Sequence, residues 1–399
     1  MKASDIRALI PAAGLKEYWY PALKAASVGR KPVGRKLLGE DVVFFRGASG
    51  EVAALANACP HRGGSLAHGD CHYKGTVACP YHGWVFDETG ECLAVLSEGP
   101  DSRIPRKVRT RKYPTRQVGD LIFIWMGEGE PVPIEEDVPP EFFEGGDMMV
   151  FTKIGHWPVN WRVALENSLD AHVVYVHRNS LMMLQEPLVQ FGPVGNRPRT
   201  VNDKSAIGYM THAPKAGREF YPRLDGHWPK TEWRKLWLWL FRWNRSSPTK
   251  LWSNYPPFNG NEEWDMHTFI DGKRARAGGH HLPSMFRFDF GTHMLTRACV
   301  PIDADNTQIV YYHAVRRTGI GRLLHNMYYY GFYRWAMYQN FSKQDYRVMA
   351  PQRYDLPEIL SSTDAQIVAW RKLLLKARGM PRGVALPDDE TPEIADAAE

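Results

Sequence analysis

No apolar run in this chain approaches the ~20 residues a membrane-spanning helix needs, so an integral membrane protein is not expected. A secretory leader is missing too: Met1 to Leu15 does not show a charged lead, an apolar stretch and a small-residue cleavage site in order. Cysteine is scarce. Five thiols in 399 residues make no disulfide framework, and a reducing compartment would keep them free. Together these absences predict a cytoplasmic protein. No internal repeat is visible, which argues against solenoids and propellers. Acids are lacking rather than bases. The chain carries +6, but residues 388–399 hold six acids and no base, so the remainder carries +12. The densest basic run, Arg103-Ile104-Pro105-Arg106-Lys107-Val108-Arg109-Thr110-Arg111-Lys112, comes with no recognisable nucleic-acid-binding module. A solvated strand edge explains it, since Lys and Arg discourage edge-to-edge pairing. The alternative is a salt-sensitive docking face for an acidic partner.

What is there is more specific. Cys59-Pro60-His61-Arg62-Gly63-Gly64 and Cys79-Pro80-Tyr81-His82-Gly83-Trp84 give the spacing C-x-H-x17-C-x2-H. Two thiolates on one iron and two imidazoles on the other is Rieske ligation of a [2Fe-2S] cluster. Neutral imidazoles in place of two thiolates raise its potential. Glycines after His61 let backbone pass close to the sulfides. Zinc also accepts two Cys and two His, but zinc fingers usually pair like with like along the chain, whereas each loop here mixes one of each.

The length allows two domains, and a cluster module needs only about the first third. From Tyr18 to Met126 short strands alternate with tight turns: Val42–Arg46 and Glu51–Asn57 around Gly47–Gly50, Trp84–Phe86 and Cys92–Val95 around Asp87–Gly90, then Leu121–Trp125. Gly127 to Pro140 reads as a linker. Beyond it, helical stretches (Trp161 to His177, Gly321 to Arg347, Asp364 to Arg378) mix with strand-like Met294–Val300 and Thr307–Val315. We therefore expect an α+β protein: segment 1–16, an all-β Rieske domain over 17–126, an α+β catalytic domain over 127–385 and a disordered acidic tail over 386–399.

Within the second part stands Glu166-Asn167-Ser168-Leu169-Asp170-Ala171-His172-Val173-Val174-Tyr175-Val176-His177. Two imidazoles and one carboxylate on one face of ferrous iron leave the opposite positions open for oxygen beside a substrate. On an ideal helix His172 and His177 point ~140° apart, at 100° per residue, so they converge only if the helix is broken or bulged. The bland reading is that both histidines cap or fill a helix.

The two cluster loops and the E-N-x-x-D, H-x4-H segment together resemble the Rieske non-haem iron oxygenases. Matching flanks include Tyr18-Trp19-Tyr20-Pro21, Leu37–Asp41, Val300–Asp303 and Asp364–Leu373. They are similar to terminal oxygenases of the carbazole dioxygenase and oxoquinoline monooxygenase type, over most of residues 17–378. The resemblance implies a helix-grip-like catalytic domain, with Cys59, His61, Cys79 and His82 on the cluster. It implies mononuclear Fe(II) on His172, His177 and a distant Asp. Phe341-Ser342-Lys343-Gln344-Asp345-Tyr346-Arg347 looks like the distal ligand segment, making Asp345 the choice over Asp355 and Asp364. Asp170 takes the place of the carboxylate that joins a cluster His of one subunit to an iron-bound His of the next. This chain departs there, with one residue rather than two between that Asp and the first His. A helix-capping role for Asp170 is the alternative.

The same resemblance implies a homotrimer without a small subunit. Electrons would come from NAD(P)H through a reductase or ferredoxin, and O2 would be the co-substrate. Hydroxylation, dihydroxylation and oxidative demethylation of a hydrophobic, ring-containing substrate are all compatible with these metals. The alternative is a pure electron carrier with a cluster and no second iron. Trp233-Arg234-Lys235-Leu236-Trp237-Leu238-Trp239-Leu240-Phe241-Arg242-Trp243-Asn244-Arg245 reads as a pocket lid, a packed core helix or a peripheral membrane contact. Tyr328–Tyr333 lines the pocket or packs the core.

Overall fold

The computed structural model describes residues 3–168, 170, 172, 176–177, 194–201, 203–212, 278–289, 293–353 and 356–380. A short helix, α1 (Ala3–Leu9), leads into β1 (Trp19–Lys24), β2 (Val33–Leu37), β3 (Glu40–Arg46), β4 (Val52–Ala56) and β5 (Thr76–Ala78). Then come β6 (Trp84–Asp87), β7 (Cys92–Val95), β8 (Lys112–Tyr113), β9 (Thr115–Val118) and β10 (Leu121–Trp125). They make three small antiparallel sheets in the orders β1-β10-β9, β2-β3-β4-β8 and β5-β6-β7. The expected hairpins are β3-β4 and β6-β7. Lys112 is exposed on the edge strand β8, as the basic run predicts.

Val43, Phe45, Leu55, Val77 and Phe86 close a small core around Cys59 and Cys79. A larger core runs without interruption from Trp19, Phe123 and Trp125 to Leu295, Tyr312 and Trp370. The segment 127–140 is no free linker. Ile134, Asp137 and Val138 are buried, Trp19 Nε1 donates to Val132 O at 2.8 Å, and Trp19 N donates to Asp137 at 3.0 Å. Gly and Pro signal turns equally well whether a turn is exposed or packed.

The second part is built on one antiparallel sheet. Its pieces are β11 (Met148–Trp157), α2 (Trp161–Glu166), β12 (Val194–Val201), β13 (Ser205–His212), β14 (Gly278–His281) and β15 (Met285–Asp289). They continue with β16 (Met294–Pro301), β17 (Thr307–Arg316), α3 (Gly319–Tyr328), α4 (Ser342–Met349) and α5 (Ala365–Leu374). The strand order is β11-β17-β16-β15-β14-β13-β12. Alternation along β17 assigns its two faces. Gln308 donates to Pro21 O and Ala22 O, and Tyr312 meets Phe142, both on the N-terminal side. Tyr311 and His313 instead face Tyr338 and Tyr333.

Between α3 and α4 the chain widens into two π turns, Tyr329–Tyr333 and Ala336–Phe341. Such turns gather at functional sites, and these deliver α4 to the sheet. On α5, Arg371 pairs with Glu166 of α2 and with Glu358, fastening the last helix to the second. Among the described residues no helix is long and apolar enough to cross a membrane. Residues 233–245 and the tail 386–399 lie outside the described residues.

Candidate metal centres

The first centre lies at the tip of the small sheets, where two tight loops face each other. Cys59 N donates to Gly64 O at 2.8 Å and Gly63 N returns to Cys59 O at 2.8 Å. In the second loop Cys79 N donates to Trp84 O at 2.8 Å and Gly83 N to Cys79 O at 3.1 Å. Gly83 adopts φ +65°, which favours glycine. Both sulfurs are buried, while His61 is exposed and His82 half-buried. The imidazoles lie 4.5 Å apart between ring centroids, and His61 stacks on Trp84 at 5.0 Å.

The donor set fits a Rieske cluster. Burial, with Cys79 alongside, pushes the Cys59 thiol up to about 11. Positive metal charge between the sulfurs would reverse that shift. A Cβ on Gly64 would come within 3.0 Å of Cys79 Sγ, so glycine is what keeps this cradle open. All four residues singled out in the sequence converge here, thiols inward and imidazoles outward.

The second centre forms where α2 ends. Asn160 caps that helix by accepting from Arg162 N at 3.0 Å. The regular helix stops at Glu166, well short of the expected His177, because Asn167, Ser168 and Asp170 favour turns over helix. His172 therefore lies in a turn, and Val176 N donates to its carbonyl at 2.9 Å. This break is what lets the two histidines converge.

His172 Nε2 is 3.1 Å, and His177 Nε2 2.9 Å, from the same oxygen, Asp345 Oδ1. One ligand atom from each of the three residues lies within 4.8 Å of the others. Ligands at right angles with bonds of ~2.1 Å would stand ~3 Å apart, so the trio has the span of adjacent ligand positions on one ion. Moreover, His177 Nε2 is buried and makes no hydrogen bond, as a lone pair directed at a cation would. The other face of His177 stacks on Phe341 at 3.6 Å, and its Nδ1 meets Gln344 Oε1 at 3.4 Å.

Asp345 is 3% exposed, and burial alone would favour its neutral form. The two imidazoles beside it, His172 and His177, outweigh burial and hold its carboxyl well below the usual range. Asp170 accepts from the Nδ1 of His172 and, at 3.1 Å, from its backbone N–H. That fixes the tautomer so that Nε2 is the nitrogen turned to Asp345. Of the weaker candidates, Asp364 is spent on a cap with Ser361, and Asp355 lies outside the described residues. One neighbour was not anticipated. Arg297, on β16, sits 3.8 Å from Asp345 Oδ2. Its signal was an arginine inside the apolar run Met294–Val300.

Comparisons with known proteins find a match for each part of the chain. Residues 18–114 match the Rieske [2Fe-2S] domain, and residues 125–221 match the family described as homotrimeric ring hydroxylase. The terminal oxygenase component of carbazole 1,9a-dioxygenase from Metapseudomonas resinovorans is 32% identical over 221 residues, 53% of this chain and 57% of that one. The oxygenase subunit of 5,5'-dehydrodivanillate O-demethylase from a Sphingobium species is 32% identical over 188 residues, 45% of this chain and 42% of that one. The matches thus span about half the length of these curated relatives.

Among solved structures, the carbazole 1,9a-dioxygenase terminal oxygenase from Nocardioides aromaticivorans superposes with TM-score 0.72 at 22% identity, covering 94% of this chain and 98% of that one. The reduced oxygenase–ferredoxin complex of carbazole 1,9a-dioxygenase gives TM-score 0.66 at 20% identity, covering 92% and 90%. A Rieske all-β domain joined to an α+β aromatic ring hydroxylase domain is therefore the architecture. A Rieske domain carries a [2Fe-2S] cluster, and such oxygenases use mononuclear iron and O2.

Proposed function

We propose that this chain, a Rieske domain joined to a ring-hydroxylase domain, is the terminal oxygenase of a multicomponent system. Its reaction is hydroxylation or oxidative demethylation of a hydrophobic, ring-containing substrate. The observation that carries the reading is the convergence of His172, His177 and Asp345 in a chain whose other end presents two thiols and two imidazoles.

Cys59, His61, Cys79 and His82 would hold the cluster, and His172, His177 and Asp345 the mononuclear iron. When bound, the cluster supplies electrons one at a time, and the iron activates O2 beside the substrate. The chain's own residues do the rest. Asp170 orients the His172 ring through Nδ1. Phe341 packs the His177 ring and shields it from water. Outward-facing His61 and His82, next to exposed Tyr81 and Leu96, offer a contact surface to a redox donor or to a neighbouring subunit. The Asp170 side chain is 29% accessible, against 13% for His172, so a group from a second chain can reach it. That supports a homotrimer in which Asp170 links His172 to the partner subunit's cluster. A cytoplasmic setting, with NAD(P)H-driven reductase and ferredoxin, suits the five free cysteines.

A pure electron carrier would need no second metal site and leaves the converged trio without a purpose. Substrate-dependent O2 uptake, driven by a surrogate reductase across aromatic, terpenoid and steroid-like compounds, tests the reading. Uptake with matched hydroxylated or demethylated product is expected. Cluster reduction with no compound ever stimulating uptake would contradict it.

A further inference from the structure

Arg297 is 6% exposed and projects from β16, a strand buried along its whole length. Its guanidinium stands at the meeting point of the two ligand-bearing segments. One Nη2 hydrogen bond goes to Ala164 O in α2 at 2.7 Å, and another to Ser168 Oγ in the turn that leads to His172. The plane also lies over the Trp157 ring, with Cζ 5.1 Å from its centroid. These contacts fix a rigid fork, and its remaining arm, Nη1, faces Asp345 Oδ2 at 3.8 Å. The two carboxylate oxygens are thereby divided. Both histidines face Oδ1, while the arginine faces Oδ2.

We infer that Arg297 is a positioning residue that holds Oδ2 away from the mononuclear iron. Asp345 then ligates through Oδ1 alone, and one more position stays open. The inference rests on the iron site proposed above. A carboxylate without such a partner can take a metal through both oxygens. Lysine could supply the charge but not the fork.

The test uses the holoenzyme, with the cluster's visible spectrum as an internal control of folding. Ferrous release to a chromogenic chelator and the near-infrared magnetic circular dichroism of the ferrous site are measured for wild type, Arg297→Met, Arg297→Lys and Ser168→Ala. Arg297→Met is expected to release iron ~10–100-fold faster, the usual scale for groups that orient metal ligands. Its ligand-field bands should shift to those of a more highly coordinated iron. Arg297→Lys should fall between, and Ser168→Ala should move the same way by a few-fold. If Arg297→Met loses the cluster as well, the other two variants decide. Wild-type release rates and unshifted bands in the variants would overturn the inference. A wild-type enzyme with only two irons per chain would instead overturn the site reading beneath it.

Discussion

His177 Nε2 lies 2.9 Å from Asp345 Oδ1 yet is not aligned to donate a hydrogen bond to it. A buried ring nitrogen left in that state usually costs ~1–3 kcal/mol, and a bound cation removes the cost. We expect His177→Ala to lose the mononuclear iron and all substrate-coupled turnover while keeping the cluster's colour. Metal analysis beside the visible spectrum checks this. Unchanged iron content would remove His177 from the ligand set.

Asp170 contacts His172 rather than the proposed iron, so its variant should behave differently. Asp170→Asn keeps an acceptor for Nδ1 but loses the charge. Both metal sites should stay loaded while turnover falls by ~10–100-fold, the range for partners of metal-bound histidines. Rapid-mixing measurement of cluster oxidation locates the defect. Turnover equal to wild type would reject the link between subunits.

At the first centre, glycine is required by space rather than by conformation alone. Gly64→Ala would set a methyl 3.0 Å from Cys79 Sγ. Overpacking of this kind costs ~1–3 kcal/mol. Cluster occupancy, read as visible absorbance per chain, should drop while the second site still binds iron. Full occupancy in the variant would show that the loop yields.

Stability should fall in mild acid. Burial holds His280 and His293 neutral, pushing each down to about 3; nearby His325 and Arg317 reinforce this for His293. Burial and Arg317 bring His325 to about 4, and His313 is lowered as well. Unfolded, these imidazoles take protons near pH 6.5. Below that pH the unfolded chain binds more protons, so the stabilisation is complete above ~6.5 and lost as the pH falls toward 4. Each group contributes up to ~1.4 kcal/mol per pH unit. Asp137, raised by burial to about 6 despite Arg378, and Glu141, raised by burial despite Arg287, act in the opposite sense, but they are two groups against four. Urea midpoints at pH 7 and 5 check the sign, and His325→Gln should shallow the slope.

Much of the chemistry was legible because its signals are local. C-x-H and C-x2-H place four candidate ligands within two short loops, and no long-range information is needed to propose them. Asp345 was legible only through its resemblance to a known segment, since nothing near it in sequence marks a ligand. The end of α2 at Glu166 was misjudged because Trp161–Glu166 and Val173–Val176 both look apolar-periodic, and the Asn-Ser-x-Asp break between them is weak. Arg297 escaped notice because a charge in a buried strand declares a partner without saying which. The same limit made 127–140 look like a linker although Asp137 is tied to Trp19.

The account stands or falls on whether one chain holds a cluster and a separate iron at once. Iron and acid-labile sulfide per chain, measured on anaerobically purified protein, answer this directly. Near three irons with two sulfides is predicted; two irons with two sulfides, unchanged when ferrous iron is offered in excess, would contradict it.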